Sequence, residues 1–253
     1  MSVIRMPAEG EVEDAAARLY ADDRETLGYV TTHTRVTALN PEAVAAFEQL
    51  IRAVVPSLGM RRYELVTLAA AGALGSTSCR AHHGVKALGH IDADELERIA
   101  RDYRTAGLAP DEVAMMAFAE RLSGDSASMT SEDAAELQRL GFSDREIVDI
   151  AFAAAARNFY SRSLHALGVE PDIPPALPAS LREALLKGNA HARSVTGRGA
   201  KTPSRSSCGA PSSSPGPPMR PNRSPCRTRR HPSSPTVPRA IAPRSRAAPP
   251  SGR

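Results

Sequence analysis

Residues 64–75 read ELVTLAAAGALG, a dozen positions with one charge, Glu64, and no polar face. Wound as a helix, such a segment is apolar all round and has to be buried on every side. It falls well short of the ~18 apolar residues that cross a bilayer, and no other run in the chain approaches that length. The segment therefore demands a helical domain large enough to enclose it.

The material for that enclosure lies in the front of the chain. From Ala190 to Arg253 there is no Asp or Glu, while 13 of the 32 Lys and Arg and 13 of the 21 Pro fall there. The first 189 residues hold the other 19 basic and all 28 acidic residues, a net of −9; the tail carries +13 and the whole chain +4. The pI of about 9.2 is thus a property of the tail. Pro, Ser, Arg, Gly and Ala dominate residues 190–253. So little apolar surface cannot offset the entropy of ordering, and this tail is expected to be disordered. Out-of-frame translation of a GC-rich gene gives a similar composition. The front portion, roughly 170 residues rich in Ala and Leu, suffices for one core. The start, MSVIRMPAEGEVED, has neither the basic nor the apolar region of a signal peptide. Three Cys, two of them in the tail, make no disulfide framework, so a reducing, cytoplasmic setting is expected.

The periodicity of the front portion is helical, and no stretch alternates with period two. Asn40-Pro41 supplies an N-cap and a Pro at the first helical position, with Val44, Phe47, Ile51 and Val54 following on one face. Residues 64–75 form a second helix, and Cys79 to Leu88 a third after a break near Gly75-Ser76-Thr77. Asp92 with Glu95 resembles a capping box. Pro110 opens a helix whose Met115, Met116 and Phe118 read as core or subunit interface. Thr130 with Asp133 starts a short helix ended by Gly141. Ser143-x-x-Glu146 caps a long one through Ile147, Ile150, Ala151, Ala154 and Asn158 to a stop at Gly168. The expected organisation is an N-terminal helical extension (1–39), an all-α domain (40–170), a linker with a short helix (171–189) and the basic tail (190–253).

Cys79 and His83 lie four residues apart, on one face of a helix, with Glu64 fifteen residues upstream. A thiol beside an imidazole and a carboxyl has the parts of an activated nucleophile. A free Cys ionises near ~8.5, so little thiolate exists at pH 7 without help. His83 can take the proton, and a Glu64 buried among Leu65, Val66 and Leu68 is pushed up toward acid–base use near neutrality. Structural readings stand beside these: Cys79 as a small buried hydrophobe, His83 as a hydrogen-bonded core histidine, and Glu64 as a first-turn residue favoured by the helix dipole. His82 is expected at a surface or interface, and Asn158 and Arg162 at an interface or lining a pocket. The set Cys79, His82, His83 and Glu64 lacks a zinc spacing and a second ligand cluster, so no metal is expected. No Gly-rich phosphate loop or dinucleotide fingerprint occurs, so no cofactor is expected either.

Glu64, eleven residues, Ser76-Thr77-Ser78-Cys79, three residues and His83 together resemble the core motif of the alkylhydroperoxidase D and carboxymuconolactone decarboxylase superfamily. Its peroxidase branch carries Glu, then Cys-x-x-Cys, then His after three residues. The resemblance covers roughly half of the chain. It implies an all-helical, alkylhydroperoxidase D-like domain that assembles as a trimer or hexamer. It also implies a hydroperoxide substrate, a second Cys that attacks it and a first Cys that resolves the sulfenic acid. Here the first Cys is Ser76, and Ser78 stands where the branch often has His. Cys79 keeps the attacking role by this resemblance, His83 and Glu64 handle the proton, and Ser76 holds the resolving position without a thiol. An external thiol reductant, or Cys208 or Cys226 of the tail, then has to complete the cycle. The decarboxylase branch does without the Cys pair, which implies a second expectation: a cofactor-free lyase using Glu64 and His83. A third is a binding protein whose basic tail contacts nucleic acid, although that tail has no interleaved aromatics for stacking.

Overall fold

The structure, a computed structural model, describes residues 4–170 and 172–187. The chain divides into two units, Met1–Thr202 and Pro203–Arg253. The second unit, and with it the expected disorder of the tail and any part played by Cys208 or Cys226, lies outside the described residues.

The described residues hold α1 (Asp14–Leu27), α2 (Thr32–Thr37), α3 (Pro41–Ala73), α4 (Thr77–Ala87), α5 (Ala93–Asp102), α6 (Pro110–Asp125), α7 (Ser131–Arg139), α8 (Asp144–Ala166) and α9 (Ala179–Lys187), and no strand. The capping signals act as their chemistry dictates. Thr130 and Ser143 each close a full capping box with the acid three residues on. Asp92 accepts from the backbone N–H of Asp94 and Glu95, but Glu95 turns its carboxylate to Arg61 instead of reaching back, so only half of that expected box forms.

The two helices expected over 41–54 and 64–75 are one element, α3, broken in its middle. Pro56 lacks an amide hydrogen for the ladder, and Gly59 takes φ 73 and ψ 160, outside the helical region. Before the break, Val54 and Leu58 are buried while Val44, Phe47 and Ile51 are only half-buried. After it, every residue from Tyr63 to Ala71 is buried. α8, α6 and α4 pack against α3 and supply the enclosure that its apolar run requires. By length and composition α3 could cross a membrane, contrary to the expectation that no segment is apolar enough. Its break and its packed second half make it the central helix of a helical core.

Two consecutive arginines just past the break tie that core together. Arg61 pairs with Glu95 at 2.6 Å and Glu112 at 2.7 Å; Arg62 pairs with Asp111 at 2.8 Å and Glu146 at 3.2 Å. All four acids lie in the first turn of α5, α6 or α8, so α3 pins three helix N-termini at once. The arginines are about one-third exposed, which limits each pair to a modest contribution. Met115 and Met116 belong to the core and Phe118 packs against it. Leu50, Val148, Phe152 and Phe159 on α3 and α8 stay exposed.

The segment after α8 returns to the domain. Leu177, Leu181 and Leu185 are buried, and α9 packs on α4 and α5. This contact is close: a Cβ added at Gly84 of α4 would stand 2.4 Å from Cδ1 of Leu185, which is itself wholly buried. Gly84→Val should therefore lower stability by about 1–3 kcal/mol through overpacking. Urea unfolding checks this, and adding Leu185→Ala should recover part of the loss.

Candidate active site around Cys79

Cys79, the one cysteine among the described residues, sits in the first turn of α4 with 4% of its surface exposed. It lies in the wall of a cavity of about 530 Å³. Four parts of the chain meet there. α4 contributes Cys79, His82 and His83, and α8 contributes Arg157, Tyr160 and Leu164. Val44 and Phe47 come from the first half of α3, and Asp22, Asp23, His33 and Thr37 from the N-terminal helices α1 and α2. That N-terminal cover is fixed from the far end of the domain: Thr32 donates its backbone N–H and, at 2.8 Å, its hydroxyl to the carboxylate of Asp172.

Two donors from α8 converge on the sulfur. Ser161 Oγ lies 3.1 Å and Arg157 Nη1 3.5 Å from Cys79 Sγ. Both residues are buried, and the guanidinium also stands over the Tyr160 ring at 5.6 Å. Burial opposes the Arg157 charge most strongly, yet the thiol of Cys79 and the phenol of Tyr63 beside it raise its pKa on balance. Both groups are hydrogen-bond donors to the sulfur, and one of them is a cation.

On the next turn of α4, His83 Nδ1 lies 2.7 Å from Glu64 Oε2. The carboxyl is 1% exposed and does not itself reach the cavity; it backs the ring from inside the core. Burial raises the Glu64 pKa to about 7, with Lys86 and Arg157 pulling the other way. Burial also drives His83 well below its ordinary 6.5, helped by Arg157 and Lys86. The ring is therefore neutral near pH 7, and the pair exchanges a proton instead of forming an ion pair. Below about pH 7 Glu64 donates to Nδ1 and Nε2 carries the ring hydrogen. Above it, Nδ1–H donates to the carboxylate and Nε2 is a bare base.

Of the residues singled out from the sequence, Cys79 and His83 share the cavity and Glu64 stands directly behind His83. Ser76 does not line it. Buried at the N-cap of α4, without a side-chain cap bond, it faces a separate cavity of about 40 Å³. The break at Gly59 starts the second half of α3 near Arg61, so Glu64 stands close to a helix start as well as against His83. His82, expected at a surface or interface, is buried within the chain and lines the cavity, because the N-terminal helices cover this face of α4. Asn158 and Arg162 are not in the wall of this cavity; they bond to Ser123 Oγ and Ser123 O and tie α8 to α6. Arg157, Ser161 and His33 were not anticipated. Among the described residues no group of three or more His, Cys, Asp or Glu is placed to hold a metal ion.

No protein-family model and no curated protein matches the sequence. Solved structures do match the fold. The chain superposes on an uncharacterized peroxidase-related protein from Ralstonia eutropha JMP134, an alkylhydroperoxidase AhpD core, with TM-score 0.61 and 21% identity, over 74% of this chain and 96% of that one. A peroxidase-related protein from Silicibacter sp. TM1040 gives 0.60 and 23%, over 68% and 92%. The debrominase Bmp8, solved as a cysteine-to-alanine variant in complex with 2,3,4-tribromopyrrole, gives 0.59 and 19%, over 73% and 98%.

The opposed shifts of Glu64 and His83 can be read in stability. A carboxyl raised from 4.5 to about 7 keeps a proton in the folded state that the unfolded state loses, so its contribution is full below pH 4.5 and is lost as pH rises to about 7. The lowered His83 acts oppositely: its contribution grows as pH rises through 6.5, where the unfolded imidazole sheds its proton. Glu64→Gln removes only the first effect. Relative to wild type, the variant should gain about 1–3 kcal/mol between pH 4.5 and 7 in urea unfolding. The fold on which this site is built is that of the alkylhydroperoxidase D core.

Proposed function

We propose that the protein is a thiol-dependent hydroperoxide reductase in which Cys79 is the attacking thiol and an external thiol closes the cycle. The observation that carries this reading is the pair of donors on Cys79 Sγ, from Ser161 at 3.1 Å and Arg157 at 3.5 Å, at the wall of an organic-sized cavity. A buried sulfur packed only as a hydrophobe has no use for a buried guanidinium. The likeness in fold to peroxidase-related proteins supports the same reading.

The chemistry follows from the groups present. With Glu64 ionised, His83 Nε2 takes the proton of the Cys79 thiol, and Arg157 and Ser161 hold the thiolate. Sulfur attacks the distal oxygen of the hydroperoxide; the S–O bond forms as the O–O bond breaks. The leaving alkoxide takes the proton back from His83 and departs as an alcohol, leaving Cys79 as sulfenic acid. Ser76 has no thiol to condense with it. One external thiol forms a mixed disulfide with loss of water, and a second releases Cys79 and leaves as the oxidised disulfide. We also propose that the chain self-associates, through the exposed apolar side chains of α3 and α8.

A second substrate class for the same nucleophile is favoured by the rings of His33, Phe47 and Tyr160 in the cavity wall. They suit a flat, halogenated aromatic of the kind bound by the debrominase of like fold. The lyase alternative would use Glu64 and His83 and spare Cys79.

Trapping of sulfenic acid after addition of an organic hydroperoxide separates these readings. Wild type should form the adduct at Cys79, and Cys79→Ser should form none. No adduct with hydroperoxide, together with bromide release from a bromopyrrole, would move the assignment to dehalogenation. The rate of sulfenate formation should rise with pH through about 7 as Glu64 ionises. That step should be absent in Glu64→Gln, whose amide does not ionise and so cannot draw the ring hydrogen to Nδ1 as a carboxylate does, and the rate should fall by about 10²-fold or more.

A further inference from the structure

His82 lines the same cavity as Cys79, three residues further along α4. Its Nδ1 lies 2.9 Å from the carbonyl oxygen of Ser78. A carbonyl oxygen only accepts, so Nδ1 carries the ring hydrogen. Burial lowers the pKa of this imidazole and keeps it neutral, against the smaller opposing pull of the Ser78 bond. Nε2 is then a bare lone pair, buried in the resting site, with no hydrogen-bond partner among the described residues.

His33 does not fill that place. Its ring meets His82 edge-on, with centroids 4.9 Å apart and planes at 87°. His33 Nε2 lies 3.2 Å from Thr31 Oγ1, and the Thr31 hydroxyl hydrogen goes to the Asp23 carboxylate at 2.7 Å. Thr31 therefore accepts from His33, and the second nitrogen of that neutral ring is bare as well. His33 clamps the plane of His82 without offering it a hydrogen. An acceptor held out of water with no donor costs stability, and few survive in folded proteins without a reason. This one stands a single helical turn from the nucleophile.

We propose that His82 Nε2 accepts the O–H of the bound hydroperoxide and so turns its distal oxygen toward Cys79 Sγ. The proposal rests on the peroxidase reading of Cys79. The distal oxygen is the one that carries hydrogen and the one that sulfur attacks, so one acceptor both recognises the group and selects the oxygen. The hydrogen stays with that oxygen and ends on the Cys79 sulfenic acid, while the leaving oxygen takes its proton from His83. His82 thus binds and positions, and transfers nothing.

His82→Leu and His82→Gln, each compared with wild type, test this in the full chain with cumene hydroperoxide as substrate. Gln carries an acceptor oxygen close to the position of Nε2; Leu does not. Loss of one substrate hydrogen bond should lower the second-order rate of sulfenate formation about tenfold in His82→Leu, with most of the rate restored in His82→Gln. Thiolation of Cys79 by methyl methanethiosulfonate, which has no O–H to offer, should stay within about twofold in all three proteins. Sulfenate formation at the wild-type rate in His82→Leu would overturn the proposal. So would a parallel fall of thiolation and sulfenate formation in both variants, which marks a packing role. If wild type itself forms no sulfenate, the reading of Cys79 falls first and this proposal with it.

Discussion

Tyr63 to Ala71 is a stretch of helix that water does not reach, and Glu64 is ionisable within it. Moving a carboxylate into such a place is expensive unless the charge is paired or given up. The domain does some of each. α4 is brought against the central helix so that His83 meets the carboxyl at 2.7 Å, and the pair stays uncharged until Glu64 ionises at about pH 7. The arrangement of α4, α6 and α8 around α3 is therefore both the burial of an apolar run and the making of a proton-sharing couple. Arg61 and Arg62 fix the approach of the surrounding helices from the rim, where their own charges stay hydrated.

The second buried charge has a different solution. Arg157 cannot shed its proton under ordinary conditions, so its surroundings have to answer it: the Cys79 sulfur, the Tyr160 ring and the Tyr63 phenol. Glu64 and Arg157 are thus each matched to a particular neighbour, His83 and Cys79, and these two share one cavity wall. The N-terminal helices complete it from outside, held in place through Asp172 on the segment that follows α8.

Much of this was legible in the chain. Capping boxes at Thr130 and Ser143, Pro at the start of α3 and α6, and the apolar run after Glu64 all act through local chemistry, which is why sequence reveals them. The fold class follows from the same signals. The spacing of Glu64, Cys79 and His83 pointed to residues of which Glu64 and His83 are hydrogen-bonded, while Cys79 and His83, on one helix, line the same cavity. What was missed is non-local or was overlooked. Ile147, Ile150, Ala154, Arg157, Ser161 and Leu164 form one buried line along α8 at steps of three and four. A guanidinium and a hydroxyl in the middle of an apolar line are a visible anomaly, and that pattern alone could have singled them out. His82 could not be placed the same way, since nothing in its own helix says that α1 and α2 fold over it. Gly59 also escaped, because a glycine near Pro56 reads equally as the end of one helix or a fault within one.

That fault has a consequence for how the protein can change over time. In an unbroken helix each inserted or deleted residue turns everything beyond it by about 100°. A length change in the first half of α3 would then swing Glu64 away from His83. The break at Gly59 resets the winding, and Arg61 and Arg62 anchor the new start to three other helices. The part of α3 ahead of Val54, which lines the cavity through Val44 and Phe47, can thereby lengthen or shorten at its start without shifting the phase of the carboxyl–imidazole couple. The wall that meets a substrate can drift while the phase of the chemistry is kept.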